Sequence, residues 1–371
     1  NAALIPSTVK YLILRQSKFM ISVVSRWYQE RFSDPHAVTL FLLLVFGFSV
    51  IYFIGGLITP FLVAVVLAYL LDWPLIQLMR SGISRTWATV IILVLFVTMM
   101  VMLMLGLVPT VWHQGVNLVK TMPTMLKQGQ EFLLMLPKEN PDIFNEELIK
   151  TALLAVQDNV VKSGEMILSA SFASLFDLAA ILIYSILVPL LVFFMLKDKH
   201  RLVKDLVSIL PQNRRLAVEV WTEMNGQIAN YIRGKVFEII IVGFSTWLVF
   251  FFTGLQYAVL LAVAVGFSVL IPYIGAAAVT VPVLIVGLFQ WGLTPEFTYM
   301  MIAYGIIQAL DGNLLVPLLF SEAVNLHPVA IIMSVLLFGG LWGFWGVFFA
   351  IPLATLVKAV FNAWPKRPAA V

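Results

Sequence analysis

A carboxylate and two helix-breaking residues interrupt an apolar stretch at residues 307–319, which reads IQALDGNLLVPLL. A carboxylate at the centre of a membrane helix costs about 2.5–3.5 kcal/mol on insertion scales, so such a group normally faces a cavity or a partner. Gly312 and Pro317 would break the helix, and unpaired backbone at membrane depth is tolerated only against protein or water. Discontinuous helices form the substrate and ion sites of secondary transporters. The stretch predicts a substrate or ion pathway formed by Asp311, Gly312, Asn313, Pro317 and Gln308.

The same residues have a second interpretation, in which Asp311 and Asn313 cap helix ends at the membrane surface. A buried Asp311 carboxylate would favour the pathway, and a carboxylate in bulk water would favour the cap.

Two other acidic residues at the ends of apolar runs are candidates for ion coupling. Glu238 follows Lys235 by three residues, which also allows an interfacial ion pair between them. Asp177 lies just inside another apolar run and has the same two interpretations. The candidate coupling residues are therefore Asp311, Glu238 and Asp177.

Backbone-breaking residues recur in the C-terminal half. GFSVLIPYIGA places Pro272 and Gly275 in an apolar run, and both join the predicted pathway. FGGLWGFWG places glycines at 339, 340, 343 and 346, which let helix backbones approach closely. Gly339, Gly340, Gly343 and Gly346 therefore predict either close packing or a moving interface.

Signatures of soluble enzymes are missing from the sequence, which has no phosphate-binding loop, no dinucleotide fingerprint and no HExxH. The chain has no cysteine, and its four histidines have no partners at metal-ligand spacing. We therefore predict no catalytic residue, no metal site and no cofactor, and a protein that is not an enzyme. The histidines are expected in interfacial or capping positions.

The composition requires a bilayer, because 61% of the residues are hydrophobic, only 11% are charged, and the mean hydropathy is +0.99. The apolar runs are apolar all round, unlike the alternating strands of a membrane barrel. The predicted fold class is an all-α polytopic membrane protein with about eight transmembrane helices and broken or re-entrant helices in the C-terminal half. Before residue 200, helices are expected over 37–54, 57–71, 87–109 and 175–196. Beyond residue 235 they are expected over 236–254, 256–271, 276–290 and 297–310, followed by a re-entrant piece at 313–320 and a hairpin over 328–357 broken near Gly339–Gly340.

Basic residues indicate the topology rather than a nucleic-acid patch, because they flank the apolar runs. They place residues 1–36, 197–235 and 358–371 in the cytoplasm, with 1–19 an extension or tag and 197–235 interfacial helices. The amphipathic helical segment over 110–174, with Ile149, Leu153, Val156 and Val160 at helical spacing, is then periplasmic. Residues 37–109 hold the first transmembrane helices, and 236–357 form the C-terminal transmembrane core. The predicted location is the bacterial inner membrane, with both termini cytoplasmic.

Six stretches resemble the autoinducer-2 exporter family: RFSDP (31–35), LAYLLDWP (67–74), NYIRGK (230–235), GFSVLIPYIGA (266–276), QALDGNLLVPLLFSEAVNLHP (308–328) and FGGLWGFWGVFFAIPLATL (338–356). The resemblance covers residues 20–365. It implies a homopentamer in the inner membrane that exports small molecules by an elevator-like or alternating-access movement. Some relatives resemble sodium or lithium/proton antiporters. The family motifs fall on Pro272 and Gly275, on Asn313 and Pro317, and on His327–Pro328.

The predicted function is that of a secondary transporter, a permease or exporter whose cargo is a small molecule or ion, coupled to protons or sodium. One alternative is a scaffold or accessory protein for envelope assembly, which would dock an envelope protein partner through 110–170 and 197–235. Another is a lipid-handling protein with a groove between its helices.

Overall fold

The computed structural model describes residues 35–139, 175–211, 214–320 and 326–364. Within these ranges the chain is helical, without strands. By length and composition, six stretches of the described residues can cross a membrane: Thr59–Arg80, Arg85–Met125, Arg215–Thr253, Ile274–Trp291, Pro295–Phe320 and Pro328–Phe348. Four further apolar helical stretches are shorter: Pro35–Val50 and Ile183–Lys197, which belong to longer helices, and Ala258–Ser268 and Ala350–Ala363. The all-helical membrane architecture is confirmed, and the count of about eight spans stays a prediction.

The first helix, α1, runs unbroken from Pro35 to Arg80 over 46 residues, with Pro60 and Pro74 inside it. The predicted division into helices over 37–54 and 57–71 is therefore wrong. Glycines cost a helix only about 1 kcal/mol each, whereas a backbone group left unpaired in lipid costs several. The helix is about 69 Å long at 1.5 Å per residue, so it extends well beyond a hydrocarbon core of about 30 Å.

The second helix, α2, spans Arg85–Glu139 over 55 residues. The predicted end of this span at residue 109 is wrong, because the helix continues into the more polar sequence that follows. The amphipathic stripe formed by Ile149, Leu153, Val156 and Val160 lies outside the described residues. The helix α3, Leu175–Lys197, corresponds to the predicted span over 175–196.

Two helices follow in the basic region, α4 over Lys199–Ile209 and α5 over Arg215–Thr253. The amphipathic helix α4 has no buried residue. The helix α5 joins part of the predicted interfacial region over 197–235 and the predicted span over 236–254 in one element. It is the central helix, packing against α1 and against most of the C-terminal elements described below.

The next pair, α6 (Ala258–Ser268) and α7 (Ile274–Trp291), forms a helical hairpin. The predicted span over 256–271 is wrong, because α6 has 11 residues and a length of about 16 Å, half of a hydrocarbon core. Gly243 of α5 lies against Gly266 of α6, where a Cβ on Gly266 would come within 3.1 Å of the Gly243 Cα. The two glycines let these backbones pack in contact.

The chain then forms α8 (Pro295–Leu310), a π-helical turn (Asp311–Leu315) and α9 (Val316–Phe320). These pieces form one helical stretch, so the separate re-entrant piece predicted over 313–320 is wrong. The last two helices are α10 (Pro328–Phe348) and α11 (Ala350–Ala363). Inside α10 the backbone breaks at Gly343 (φ 58°, ψ −133°), which corrects the predicted break at Gly339–Gly340.

The largest apolar core lies among α5, α6, α7 and α8. Its most deeply buried members include Val242, Phe250, Val265, Val283 and Met300. This core fixes α8 and the π-helical turn that follows it against α5, which places Asp311 beside the charged residues of that helix.

Candidate functional site: a buried charge cluster

The π-helical turn places the Asp311 carboxylate inside the protein. Pro317 has no N–H to donate, and the backbone accommodates it with a wider turn in which the Val316 N–H donates to the Asp311 carbonyl oxygen. The chain therefore stays helical on both sides of Asp311. Only 8% of Asp311 is exposed, which favours the pathway interpretation over a cap in water at the membrane surface.

Two polar atoms in this turn and at the end of α8 before it have no hydrogen-bonding partner among the described residues. They are Oδ1 of Asp311 and Nε2 of Gln308, both buried. One is an acceptor and the other a donor, and they belong to residues one helical turn apart. Buried polar atoms are nearly always paired, so an unpaired donor and an unpaired acceptor together indicate a place where a ligand or water binds.

Lys235 and Glu238 form an ion pair on the facing side of α5. The Lys235 Nζ donates to Glu238 Oε2 at 2.7 Å and to the Val269 carbonyl oxygen at 2.7 Å. The two side chains are 4% and 2% exposed, so the pair is buried within the protein. The pairing of Lys235 with Glu238, three residues later, was predicted correctly.

Phe320 covers this pair from α9. The Lys235 Nζ lies 5.3 Å from the centroid of the Phe320 ring, within the range of a cation–π interaction. The ring fits because residue 234 is glycine: a Cβ there would lie 2.7 Å from the Phe320 Cε1 atom. The Gly234–Lys235 sequence therefore provides both the charge and the space for the ring that covers it.

Lys235, Glu238 and Asp311 form one electrostatic unit, which we call the charge cluster. The charge of Lys235 acts on Asp311, and the charge of Asp311 acts on Glu238. With all three groups ionised, the charge cluster carries a net charge of −1. Ions buried without compensation are costly, so such a cluster is suited to binding a proton or a small cation.

An aromatic layer connects the charge cluster with α10. The Tyr231 hydroxyl donates to the Phe348 carbonyl oxygen at 2.9 Å, and this hydrogen bond is buried. The Tyr231 ring lies 5.8 Å from the ring of Phe320 and 6.3 Å from that of Phe348. Tyr231 therefore joins α10 to the ring that covers Lys235.

The remaining residues predicted for the pathway lie outside the charge cluster. Gly312, Asn313 and Pro317 are exposed on the surface of the protomer. The Asn313 Nδ2 donates to the Ala309 carbonyl oxygen at 2.8 Å, which gives a carbonyl in the last turn of α8 a donor. Asp177 lies in the first turn of α3, and its side chain is outside the described part of the structure.

Pro272 lies in the tight connection between α6 and α7, and Gly275 is the second residue of α7. The connection begins at Val269, whose carbonyl accepts from Lys235. The Ile274 N–H donates to the Pro272 carbonyl oxygen at 2.7 Å, and Tyr273 between them has φ 62° and ψ −52°. This is a γ-turn with a positive φ at a tyrosine, a strained conformation. A Cβ on Gly275 would overlap the Ser268 carbonyl oxygen, so only glycine fits there.

The four glycines predicted as hinge or close-packing positions differ in their surroundings. A Cβ on Gly346 would overlap the Phe338 carbonyl oxygen, and one on Gly339 would lie 2.8 Å from Val347 Cγ2. Gly343 has a positive φ, and Gly340 has open space around it. Gly339 and Gly346 are thus close-packing positions, while Gly343 is where the backbone direction changes.

The histidines include one helix cap. The His327 Nδ1 accepts from the Val329 N–H at 3.3 Å at the start of α10, as the capping prediction requires. Within the described residues, no three His, Asp or Glu side chains are grouped as a metal site.

A sequence model described as "AI-2E family transporter" matches residues 41–366. The chain belongs to the AI-2E transporter family. The predicted resemblance to the autoinducer-2 exporter family is confirmed, and the charge cluster lies within the AI-2E region of the chain. Together with its apolar helices, this membership makes the chain a multi-pass membrane protein of a transporter family.

Relatives of this AI-2E chain are named as permeases or transport proteins. "Putative permease PerM" of Escherichia coli (strain K12) is 54% identical over 346 residues, which cover 93% of this chain and 98% of that protein. "Putative transport protein YueF" of Bacillus subtilis (strain 168) is 28% identical over 319 residues, covering 84% and 85%. "Putative transport protein YrrI" of the same organism is 24% identical over 313 residues, covering 81% and 84%.

Sequence reasoning missed several residues of this site. Lys235 was treated only as a partner of Glu238 near the membrane surface, whereas it is the single cation of the charge cluster. Tyr231, Phe320 and the Val269 carbonyl were not predicted at all. The available signal was the NYIRGK stretch, in which a glycine and a lysine precede a glutamate in an apolar run by one helical turn.

Proposed function

We propose that this protein is a secondary transporter that moves a small molecule or ion across the bacterial inner membrane, coupled to a proton or sodium ion at the charge cluster. The observation that carries the proposal is the burial of two carboxylates and one ammonium group together within a helical membrane protein. Membership of a transporter family and relatives named as permeases support the same class of function.

The charge balance explains why the coupling ion would bind at Asp311. Lys235 and Glu238 neutralise each other at 2.7 Å, which leaves Asp311 with the uncompensated charge. Its buried Oδ1 has no hydrogen-bonding partner among the described residues, so it is free to accept a proton or to ligate a cation. Gln308, one helical turn before it, has an unpaired buried donor. A carrier that releases this ion must either expose Asp311 or bring a positive charge closer to it, and both require movement.

The proposed movement is an alternating-access or elevator-like displacement of the C-terminal helices. Two backbone features are suited to it: the strained γ-turn at Tyr273 and the break at Gly343. The γ-turn lies close to Val269, whose carbonyl accepts from Lys235. The break at Gly343 lies in α10, which contacts the charge cluster through Phe348 and Tyr231. Gly312, Asn313 and Pro317 occupy the outer face of the π-helical turn, where we propose that cargo contacts the helix.

The test is flux driven by an ion gradient in proteoliposomes, comparing the wild-type protein with Asp311→Asn. A matched control is Glu296→Gln, which removes an exposed carboxylate from the first turn of the same helical stretch. Proton and sodium gradients are varied separately against a panel of small organic anions, cations and neutral solutes. We expect cargo flux that follows one gradient, that loses this dependence in Asp311→Asn, and that is unchanged in Glu296→Gln.

Gradient-dependent flux that persists in Asp311→Asn would place the coupling site elsewhere and refute the role of the charge cluster. Equal loss in both variants would mean that the effect is not specific to the buried carboxylate.

A further inference from the structure

Two adjoining cavities lie where α1 turns into α2 and α3 turns into α4. The smaller, of about 390 Å³, is lined by Asp72, Ile76, Met79, Arg80, Arg85, Lys199 and His200. The larger, of about 570 Å³, shares Asp72, Lys199 and His200 with it and continues along α1, α4 and α5. Together they form one continuous site with a charged end and an apolar end.

The charged end has an excess of positive charge. Lys199 Nζ pairs with Asp72 Oδ2 at 2.9 Å, so this lysine and this aspartate neutralise each other. Arg80 and Arg85 also line the cavity, and neither forms an ion pair with an acidic side chain within the described residues.

Arg85 has further capacity to donate. Its Nε donates to the Leu196 carbonyl oxygen at 2.8 Å, while one terminal nitrogen is buried without a partner among the described residues. A guanidinium held in this way by one hydrogen bond is positioned to bind phosphate oxygens with its remaining N–H groups.

The apolar end follows α1 into the membrane. Phe61, Val65 and Ala68 of α1 line the larger cavity opposite Leu206 of α4 and Trp221 of α5. Phe61 lies 11 residues before Asp72, so the groove extends about 16 Å along the helix axis. This length matches one leaflet of a hydrocarbon core of about 30 Å, and Thr59–Arg80 is a candidate span.

The groove is open from the side of α4. Leu206 is 62% exposed and Trp221 is 53% exposed. An amphipathic helix with an exposed apolar face and basic residues is typical of a helix that lies at the membrane interface.

We infer that this site binds an anionic phospholipid from the surrounding bilayer. The phosphate lies between Arg80 and Arg85 at the charged end, and one acyl chain lies in the groove between Phe61 and Trp221. Free phosphate would use only the charged end and would leave the groove empty. The basic cavity favours a lipid with net negative charge over a zwitterionic one.

The experiment is native mass spectrometry of the full chain reconstituted with equal amounts of phosphatidylglycerol and phosphatidylcholine. Arg80→Gln removes one charge from the cavity, and Arg201→Gln is the matched control, because Arg201 lies on α4, is 83% exposed and lines neither cavity. We expect phosphatidylglycerol to be retained in preference to phosphatidylcholine. Its affinity falls about five-fold in Arg80→Gln and about 25-fold when Arg85→Gln is added, since each basic residue near a membrane surface has about that effect.

Arg80 is exposed and has no structural hydrogen bond among the described residues, so Arg80→Gln tests the site even if Arg85→Gln impairs folding. Equal retention of the two lipids would overturn the inference. So would an equal loss of phosphatidylglycerol in Arg201→Gln, or displacement of the lipid by millimolar inorganic phosphate, which would identify a phosphate site only.

Discussion

Replacing Lys235 by methionine is expected to destabilise the folded protein strongly. Methionine preserves most of the side-chain length but removes the ammonium group, which leaves Glu238 and Asp311 as two buried carboxylates without a cation. The Val269 carbonyl oxygen also loses its donor. Glu238→Leu removes the hydrogen-bonded partner of the ammonium group but leaves Asp311 as its counter-charge, so it should cost less, about 1–3 kcal/mol.

The magnitude follows from the burial of the pair. At 2.7 Å the two charges attract by about 6 kcal/mol with an effective dielectric constant of 20, but removing them from water costs several kcal/mol per ion. The pair therefore contributes little net stability, while removing its cation alone costs about 3–5 kcal/mol. The double variant Lys235→Met/Glu238→Leu has one buried carboxylate fewer than Lys235→Met and should be no less stable than that variant, which gives a coupling energy at least as large as the cost of Glu238→Leu alone.

The assay is the free energy of unfolding in mixed micelles, obtained from dodecyl sulfate titration monitored by circular dichroism, for the wild type, both single variants and the double variant. The control cycle uses Arg201→Met and Asp205→Leu, because that pair has a separation of 3.8 Å and its side chains are 83% and 66% exposed. Its coupling energy should be below about 0.5 kcal/mol. If the Lys235 and Glu238 effects add to within about 0.5 kcal/mol, the two residues do not form a coupled buried pair and the reasoning fails.

Further expectations concern packing around the charge cluster. Gly275→Ala and Gly346→Ala should each greatly reduce the yield of folded protein in fluorescence-detected gel filtration, because a Cβ at either position overlaps a carbonyl oxygen. Gly305→Ala, in a helix with open space at the Cβ position, should be neutral or stabilising by up to about 1 kcal/mol, and a loss of folded protein there would contradict the packing argument. Tyr231→Phe should cost about 1–3 kcal/mol of unfolding free energy because the buried Phe348 carbonyl loses its donor, and an unchanged stability would show that this bond is replaced.

The sequence predicted the acidic residues of the site better than the backbone that holds them. Asp311 was singled out because a carboxylate in an apolar run needs a partner, and the partner of Glu238 followed from the three-residue spacing. The predicted break at Gly312 and Pro317 proved to be a π-helical turn, and the break in α10 lies at Gly343. In a membrane the chain avoids leaving backbone groups unpaired, so glycine and proline widen or bend helices more often than they end them.

The sequence alone determined that this is an all-helical membrane protein of a transporter family, because apolar composition and local motifs are properties of the chain itself. It also determined which residues are costly to bury. Only the tertiary structure decided which of them come together. Lys235 and Glu238 lie on α5, and Asp311 lies in a turn more than seventy residues later, a separation that no local sequence pattern spans. Burial is likewise decided by packing: Phe320 covers Lys235 only because α9 reaches Gly234. The proposed coupling depends on the net charge of these three groups together, and they come together only in the folded protein.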